Sequence, residues 1–128
     1  MTEPSRVQRW AAYILSALTV LLMTFSSLMK LTRQPMVMEG FAKGGLSADL
    51  VLIIGCLELL CVLVYLVPAT AVLGAVLTTG YLGGAVFVHL RAHEATAVVP
   101  FLLGVFAWGG LYLRDPRIVK LLPIRKRS

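Results

Sequence analysis

Residues 50–90 read LVLIIGCLELLCVLVYLVPATAVLGAVLTTGYLGGAVFVHL, which is two long apolar runs on either side of the short turn Pro68-Ala69-Thr70. Glu58 is the only Asp, Glu, Lys or Arg in this stretch. Each run approaches the roughly 20 apolar residues that a helix needs to cross the hydrocarbon core of a bilayer. Because the turn is so short, the pattern predicts an antiparallel pair of membrane helices over residues 50–67 and 71–90.

Two further apolar runs flank this hairpin. Residues 10–29 and 97–113 contain no charged residue, and polar connections separate both runs from the hairpin. In the first connection, Pro35 to Lys43 predicts a short amphipathic helix in the membrane interface. The sequence therefore predicts an all-α membrane protein, a single domain over residues 1–128. Its fold would be a four-transmembrane-helix antiparallel bundle with a short interfacial helix between the first and second spans.

The composition agrees with a membrane chain. Hydrophobic residues make up 59% of the chain and charged residues 14%, with a mean hydropathy of +0.87. Soluble domains have roughly 45 to 50% apolar residues. The net charge of +6 does not indicate nucleic-acid binding, because Lys and Arg in a membrane chain belong to its loops. The expected partner is the lipid bilayer, whose headgroups suit the basic tail Arg125-Lys126-Arg127.

The loop charges predict the orientation. Lys30, Arg33, Lys43 and Arg91 lie in the two connections on one side, and the other eight of the 12 Lys and Arg residues lie near the chain ends. Basic residues concentrate on the cytoplasmic side, so the prediction is a multi-pass cell-membrane protein with both termini cytoplasmic. The first run is long for a signal peptide and lacks a good cleavage site, so we expect it to be retained as a helix.

Glu58 lies near the middle of its predicted span. A carboxylate there costs on the order of 3 kcal/mol on the translocon insertion scale. Such a residue should face the interior of the bundle, find partners or stay protonated, and its default interpretation is a functional site.

Helical spacing predicts which side chains share the interior with Glu58. Steps of three and four residues define one face on each of the first three predicted spans. On the first span these residues are Ser16, Thr19, Met23, Ser26 and Lys30; on the second, Val51, Ile54, Gly55, Glu58, Cys61, Val62 and Tyr65; on the third, Ala71, Gly74, Ala75, Thr78, Leu82, Ala85 and His89.

The candidate ligand-binding or proton site consists of Glu58, Lys30, His89 and Tyr65. If Lys30 is level with the start of the second span, Glu58 lies about 13 Å deeper. Contact between Lys30 and Glu58 would then require the lysine to reach inward or a water molecule to bridge the gap. His89 faces the same difference in depth.

The sequence assigns no catalytic residue, no metal site and no encoded cofactor. It contains no haem or iron–sulfur ligand set and no dinucleotide-binding loop. Cys56 and Cys61 are five residues apart, which places them on different faces of one helix and excludes a CxxC redox pair. The sequence therefore contains no redox centre of its own.

Several short motifs resemble the DoxX-like family of small four-helix membrane proteins. They are Ser27-Leu28-Met29-Lys30-Leu31, Pro35 followed by Glu39-Gly40-Phe41, Gly55-Cys56-Leu57-Glu58-Leu59, Val67-Pro68, Gly83-Gly84-Ala85 and His89-Leu90-Arg91. The resemblance runs from about residue 26 to residue 113. It implies that Glu58, Lys30 and His89 match the family's intramembrane glutamate, helix-end lysine and third-helix histidine. It also implies a link to membrane oxidoreductase systems, which in the wider group include a thiosulfate:quinone oxidoreductase subunit.

Three functions follow as hypotheses. The first is an accessory subunit or binding bundle for a quinone-like or lipid-like ligand, with membrane or peripheral oxidoreductase subunits, or a second copy of the chain, as partners. The second is a small proton-coupled transporter that uses Glu58. The third is a structural protein in which Glu58 and Lys30 lock two helices together without a ligand.

Overall fold

The computed structural model describes residues 4–125, which form helices joined by short connections, with no strand among them. Lys126 and Arg127 of the predicted basic tail lie outside these described residues. The helices are α1 (Arg6–Leu31), α2 (Pro35–Lys43), α3 (Leu50–Leu66), α4 (Ala71–Arg91), α5 (Val98–Arg114) and α6 (Pro116–Leu121). Two 3₁₀ turns, Pro68–Thr70 and Ala95–Ala97, precede α4 and α5.

Local sequence signals account for the helix ends. Ser5 and Gln8 form a reciprocal capping box at the start of α1, which satisfies two backbone N–H groups that have no partner inside the helix. Proline begins both α2 and α6, where its missing N–H costs no hydrogen bond. At α6 the side chain of Asp115 accepts the backbone N–H of Arg117. The interfacial helix predicted over residues 35–43 coincides with α2.

The predicted spans 10–29 and 71–90 lie within α1 and α4, and the predicted spans 50–67 and 97–113 each include one residue outside α3 and α5. Three segments, Arg6–Leu31, Pro68–Arg91 and Ala95–Arg114, are long and apolar enough to cross a membrane. Helix α3 is apolar too, but its 17 residues measure about 25 Å, somewhat less than a hydrocarbon core of roughly 30 Å. The structure thus confirms an all-helical membrane-type bundle, and four complete crossings stay a prediction.

The bundle has an apolar outside and a mixed interior. Within the described residues 15 apolar side chains are buried, together with five polar or charged ones, namely Ser16, Thr19, Ser27, Glu58 and Thr78. Large apolar side chains on all four long helices are exposed, among them Phe25, Leu60, Phe87 and Phe101. An apolar surface this extensive is unusual for a soluble protein, so the surface fits a hydrocarbon environment.

The four long helices form a closed ring in which α1 packs on α3 and α5, and α4 packs on the same two helices. Neighbours run antiparallel, since Ser27 near the end of α1 bonds to Gly55 near the start of α3. At the α3–α4 turn, a Cβ atom on Gly74 would lie 2.4 Å from the Tyr65 backbone, so only glycine permits this close approach.

Most residues of the predicted inward faces are buried. The buried residues are Ser16, Thr19 and Met23 on α1; Val51, Gly55, Glu58, Cys61, Val62 and Tyr65 on α3; and Ala71, Gly74, Ala75, Thr78 and Leu82 on α4. Helical spacing therefore predicted the interior of this part of the ring correctly.

Candidate functional site

Glu58 and Lys30 form an ion pair inside the bundle. The Lys30 ammonium donates a hydrogen bond to Glu58 Oε1 over 3.0 Å and another to Ser26 Oγ over 2.6 Å. The side chain of Lys30 is 14% exposed and that of Glu58 only 4%. Tyr81 also interacts with the Glu58 carboxylate through its side chain. The buried carboxylate thus has a cation and hydroxyl groups around it, as a charge away from water requires.

Lys30 reaches inward to contact Glu58 directly, which is one of the two routes that the sequence allowed. The premise that Lys30 is level with the start of the second span was wrong, since a Cβ atom at Gly55, three residues before Glu58, would lie 3.1 Å from Lys30 Cβ. Side chains on a helix lean toward its N-terminus. On the antiparallel helices α1 and α3, this makes Lys30 lean inward and Glu58 lean outward, so the two converge. No bridging water is needed.

Gly55 brings the two backbones close enough for this contact. A Cβ atom at position 55 would lie 3.1 Å from Lys30 Cβ and 3.2 Å from Leu31 Cδ2. The hydroxyl of Ser27 donates to the Gly55 carbonyl over 2.8 Å at the same level. The small residue and the hydrogen bond together hold α1 against α3 one turn before Glu58.

A cavity of about 540 Å³ adjoins the ion pair and is enclosed by α1, α2, α3 and α4. Lys30, Ser26, Tyr81, His89 and Glu94 supply its polar lining. Its other walls are mostly apolar and include Val37, Phe41, Ile54, Leu57 and Val88. We call this space the outer pocket. Glu58 is not part of its lining and lies behind Lys30.

His89 lies at the loop end of the outer pocket. Its Nδ1 atom is 3.2 Å from Glu94 Oε2, and the hydroxyl of Thr96 donates to the same carboxylate oxygen over 3.1 Å. The hydrogen bond with His89, followed by that from Thr96, lowers the pKa of Glu94 below its ordinary value. Glu94 is therefore an ionised group at the mouth of the pocket near neutral pH.

Tyr65 lies in a different cluster, toward the chain ends. Its hydroxyl donates to the Ala107 carbonyl over 2.7 Å and is 2.8 Å from Ser16 Oγ. Since a hydroxyl has one hydrogen, Ser16 donates to Tyr65, and Ser16 in turn accepts a hydrogen bond from Arg114. The hydrogen bonds thus run in one direction, from Arg114 through Ser16 and Tyr65 to Ala107. We call this the inner chain.

The structure thus brings Lys30 and Glu58 into contact and places His89 in the lining of the same pocket as Lys30, but it places Tyr65 elsewhere. The role of these four residues as a ligand or proton site stays a prediction. Tyr81, Glu94 and Arg114 were not singled out from the sequence. Tyr81 is three residues after the buried Thr78, and Arg114 is seven residues after the buried Ala107. Such steps place two side chains on the same face of a helix, so helical spacing could have indicated both Tyr81 and Arg114.

The chemistry available in the outer pocket is hydrogen bonding and charge. Among the described residues, no group of three or more His, Cys, Asp and Glu side chains is arranged to hold a metal ion. Lys30 has three N–H donors, of which Ser26 and Glu58 take two. The third is available to an acceptor in the pocket, such as a carbonyl oxygen.

Comparison with known proteins identifies the family of this chain. Residues 14–110 match the model of the DoxX-like family. Neither the curated proteins nor the solved structures with which the chain was compared give a match. The matched region contains α2, α3 and α4 entire, both residues of the ion pair and the outer pocket. Because the match covers well over half of its length, the chain belongs to the DoxX-like family.

Proposed function

We propose that this membrane protein binds the polar head of a hydrophobic ligand, quinone-like or lipid-like, in the outer pocket. Lys30 would donate a hydrogen bond to a carbonyl or hydroxyl oxygen of that ligand. Glu58 would act through Lys30 by holding the ammonium group in position. His89 and Tyr81 would border the bound head.

The observation that carries the proposal is the uncommitted third N–H of Lys30 beside a mainly apolar cavity. Ligand sites typically have volumes of about 300 to 1,000 Å³, apolar walls and a few convergent polar groups. The outer pocket, at about 540 Å³, falls in this range. Its polar groups lie on α1 and α4, so they can contact two sides of one ring.

The redox chemistry of a quinone-like ligand would belong to a membrane or peripheral oxidoreductase partner. The support for this is the sequence, which has no haem or iron–sulfur ligand set of its own. In this arrangement the chain is an accessory subunit that holds or delivers the ligand, as one protomer or as a pair of identical chains.

Binding of a short-chain ubiquinone to the purified protein in detergent tests the proposal. We expect Lys30→Gln to raise the dissociation constant for ubiquinone about tenfold, because it removes one charge-assisted hydrogen bond. Glu58→Gln should raise this constant by a smaller factor, because Glu58 acts through Lys30. Arg6→Gln is the matched control, since it removes an exposed positive charge at the other end of α1. Equal affinities for Lys30→Gln and the control would contradict the proposal.

The ion pair itself supports a second candidate function, a polar lock between α1 and α3 that needs no ligand. In that case Glu58→Leu should weaken the fold, since it leaves the Lys30 ammonium without its counter-ion. A more stable Glu58→Leu protein would refute the lock. Proton-coupled transport is the third alternative, and its test is uptake of a cationic dye into proteoliposomes under a pH gradient.

We also propose that α1, α3, α4 and α5 all cross the bilayer and that both termini are cytoplasmic. The excess of Lys and Arg near the chain ends supports this orientation. Single cysteines introduced at Gly45 and Ala69 should react with a membrane-impermeant thiol reagent from opposite sides of the membrane. Labelling of both positions from the same side would contradict a crossing by α3.

A further inference from the structure

A second cavity of about 990 Å³ lies at the opposite end of the bundle from the outer pocket, where the chain ends meet. Its lining includes Arg9, Arg114, Arg117 and Asp115. Because Asp115 pairs with Arg117, the guanidinium of Arg114 leaves this lining with a net positive charge. Leu66 and Leu121, both more than half exposed, add apolar wall to it. We call this space the inner cavity.

Several contacts orient the side chain of Arg114 in this lining. Its guanidinium donates to Ser16 and lies 5.9 Å from the ring centre of Tyr13 and 5.8 Å from that of Tyr65. Tyr65 is itself fixed by its bond to Ala107. The inner chain and the two rings therefore orient the guanidinium before any ligand arrives, which lowers the entropy cost of binding.

Arg114 forms no salt bridge at contact distance in the described part of the chain, although its charge helps to lower the pKa of the neighbouring Asp115. The salt bridges found within residues 4–125 join Lys30 to Glu58, His89 to Glu94 and Arg117 to Asp115. Asp115 is engaged by Arg117 through both carboxylate oxygens, at 3.0 and 2.8 Å. A guanidinium has five N–H donors, of which Ser16 takes one at Arg114.

We infer that the inner cavity binds a phosphate group, and specifically the headgroup of an anionic phospholipid. Arginine matches the geometry of phosphate oxygens and binds them bidentately. The cavity is far larger than a phosphate alone requires, and its apolar wall suits the glycerol and first acyl carbons of a lipid. The net positive lining favours a lipid with net negative charge over a zwitterionic one.

The test is retention of lipids by the purified full-length chain in native mass spectrometry, with equimolar phosphatidylglycerol and phosphatidylcholine added. We expect the wild type to retain phosphatidylglycerol preferentially, by about tenfold, and Arg114→Gln to abolish most of that preference. Arg6→Gln removes an exposed charge from the same end of the bundle, outside the cavity lining. We expect this control to keep the preference.

Arg114→Lys extends the test in case the glutamine variant does not fold. It keeps the charge but loses the planar fork, so the lipid preference should fall by about threefold. Equal preference in the wild type and Arg114→Lys, or equal losses in Arg114→Gln and Arg6→Gln, would overturn the inference. Inorganic phosphate added without lipid distinguishes the two sources. If it binds wild type but not Arg114→Gln while neither lipid is retained, a soluble anion is the ligand and the phospholipid assignment is overturned.

Discussion

Lys30 and Glu58 meet because each leans toward the N-terminus of its own helix, and the two helices run in opposite directions. The ammonium therefore turns into the bundle and not toward the headgroups, where a lysine at the end of a membrane helix usually points. This geometry gives the buried carboxylate its counter-ion from a residue near the boundary of the membrane.

Replacing Lys30 with Met should destabilise the protein strongly. The substitution leaves Glu58 buried without a cation, and breaking one side of a buried pair costs about 3 to 5 kcal/mol. The measurement is the free energy of unfolding in mixed micelles titrated with a denaturing detergent. The double variant Lys30→Met with Glu58→Gln should recover part of the loss, because no unpaired charge remains. A double variant less stable than Lys30→Met would contradict the ion pair as the cause.

Replacing Gly55 with Ala should separate α1 from α3 at the level of the pair. The added methyl group meets Lys30 Cβ and Leu31 Cδ2 at close range, and overpacking of this kind costs about 1 to 3 kcal/mol. Gly83 provides the matched control on α4, because a Cβ atom there meets nothing within 4 Å. Gly83→Ala should leave stability unchanged or raise it by up to about 1 kcal/mol through better helix propensity. Equal effects at the two glycines would contradict the close contact.

The helices were largely predictable from the sequence, whereas the arrangement of the polar groups was not. Apolar runs and their turns located the long helices, because length and periodicity are local properties. The Lys30–Glu58 contact depends on the direction in which the two side chains lean and on the close approach of α1 and α3 that Gly55 permits. Neither feature can be predicted from the helical rise per residue alone. The place of Tyr65 depends on which helix faces its hydroxyl, here α1 and α5, and this is a property of the whole ring.

Tyr65→Phe distinguishes the inner chain from the outer pocket. The variant loses the hydrogen bond to Ala107 and leaves Ser16 without an acceptor, for a loss of about 1 to 2 kcal/mol of stability. Ligand affinity at the outer pocket should stay unchanged, because Tyr65 does not line it. Quinone titration and unfolding measured on the same preparation check both expectations. A selective loss of quinone affinity would instead assign Tyr65 to the ligand site.

Acid should loosen the junction between α5 and α6. Hydrogen bonds from Arg117 lower the pKa of Asp115 below its ordinary value of 3.8. A lowered pKa means that the stabilisation is complete above pH 3.8 and is lost as the pH falls through the lower value of the folded protein. The Arg117 side chain is 78% exposed, so the effect should stay below about 1 kcal/mol.

The comparison of wild type with Asp115→Asn isolates this group from the other carboxylates. The thermal midpoint of both proteins is measured at about pH 5 and at a series of pH values that descends below 3.8, through the titration. Wild type should lose more stability than Asp115→Asn over that interval. Parallel losses in the two proteins would show that the Asp115 charge contributes nothing to the junction.

The inner chain also has an electrical consequence. A proton can hop along hydrogen-bonded groups only when every member can both receive and release one, and the carbonyl of Ala107 has no proton to release. The relay of Arg114, Ser16 and Tyr65 therefore ends without an exit. Along these hydrogen bonds, no proton passes from the groups at the chain ends to the carboxylate of Glu58.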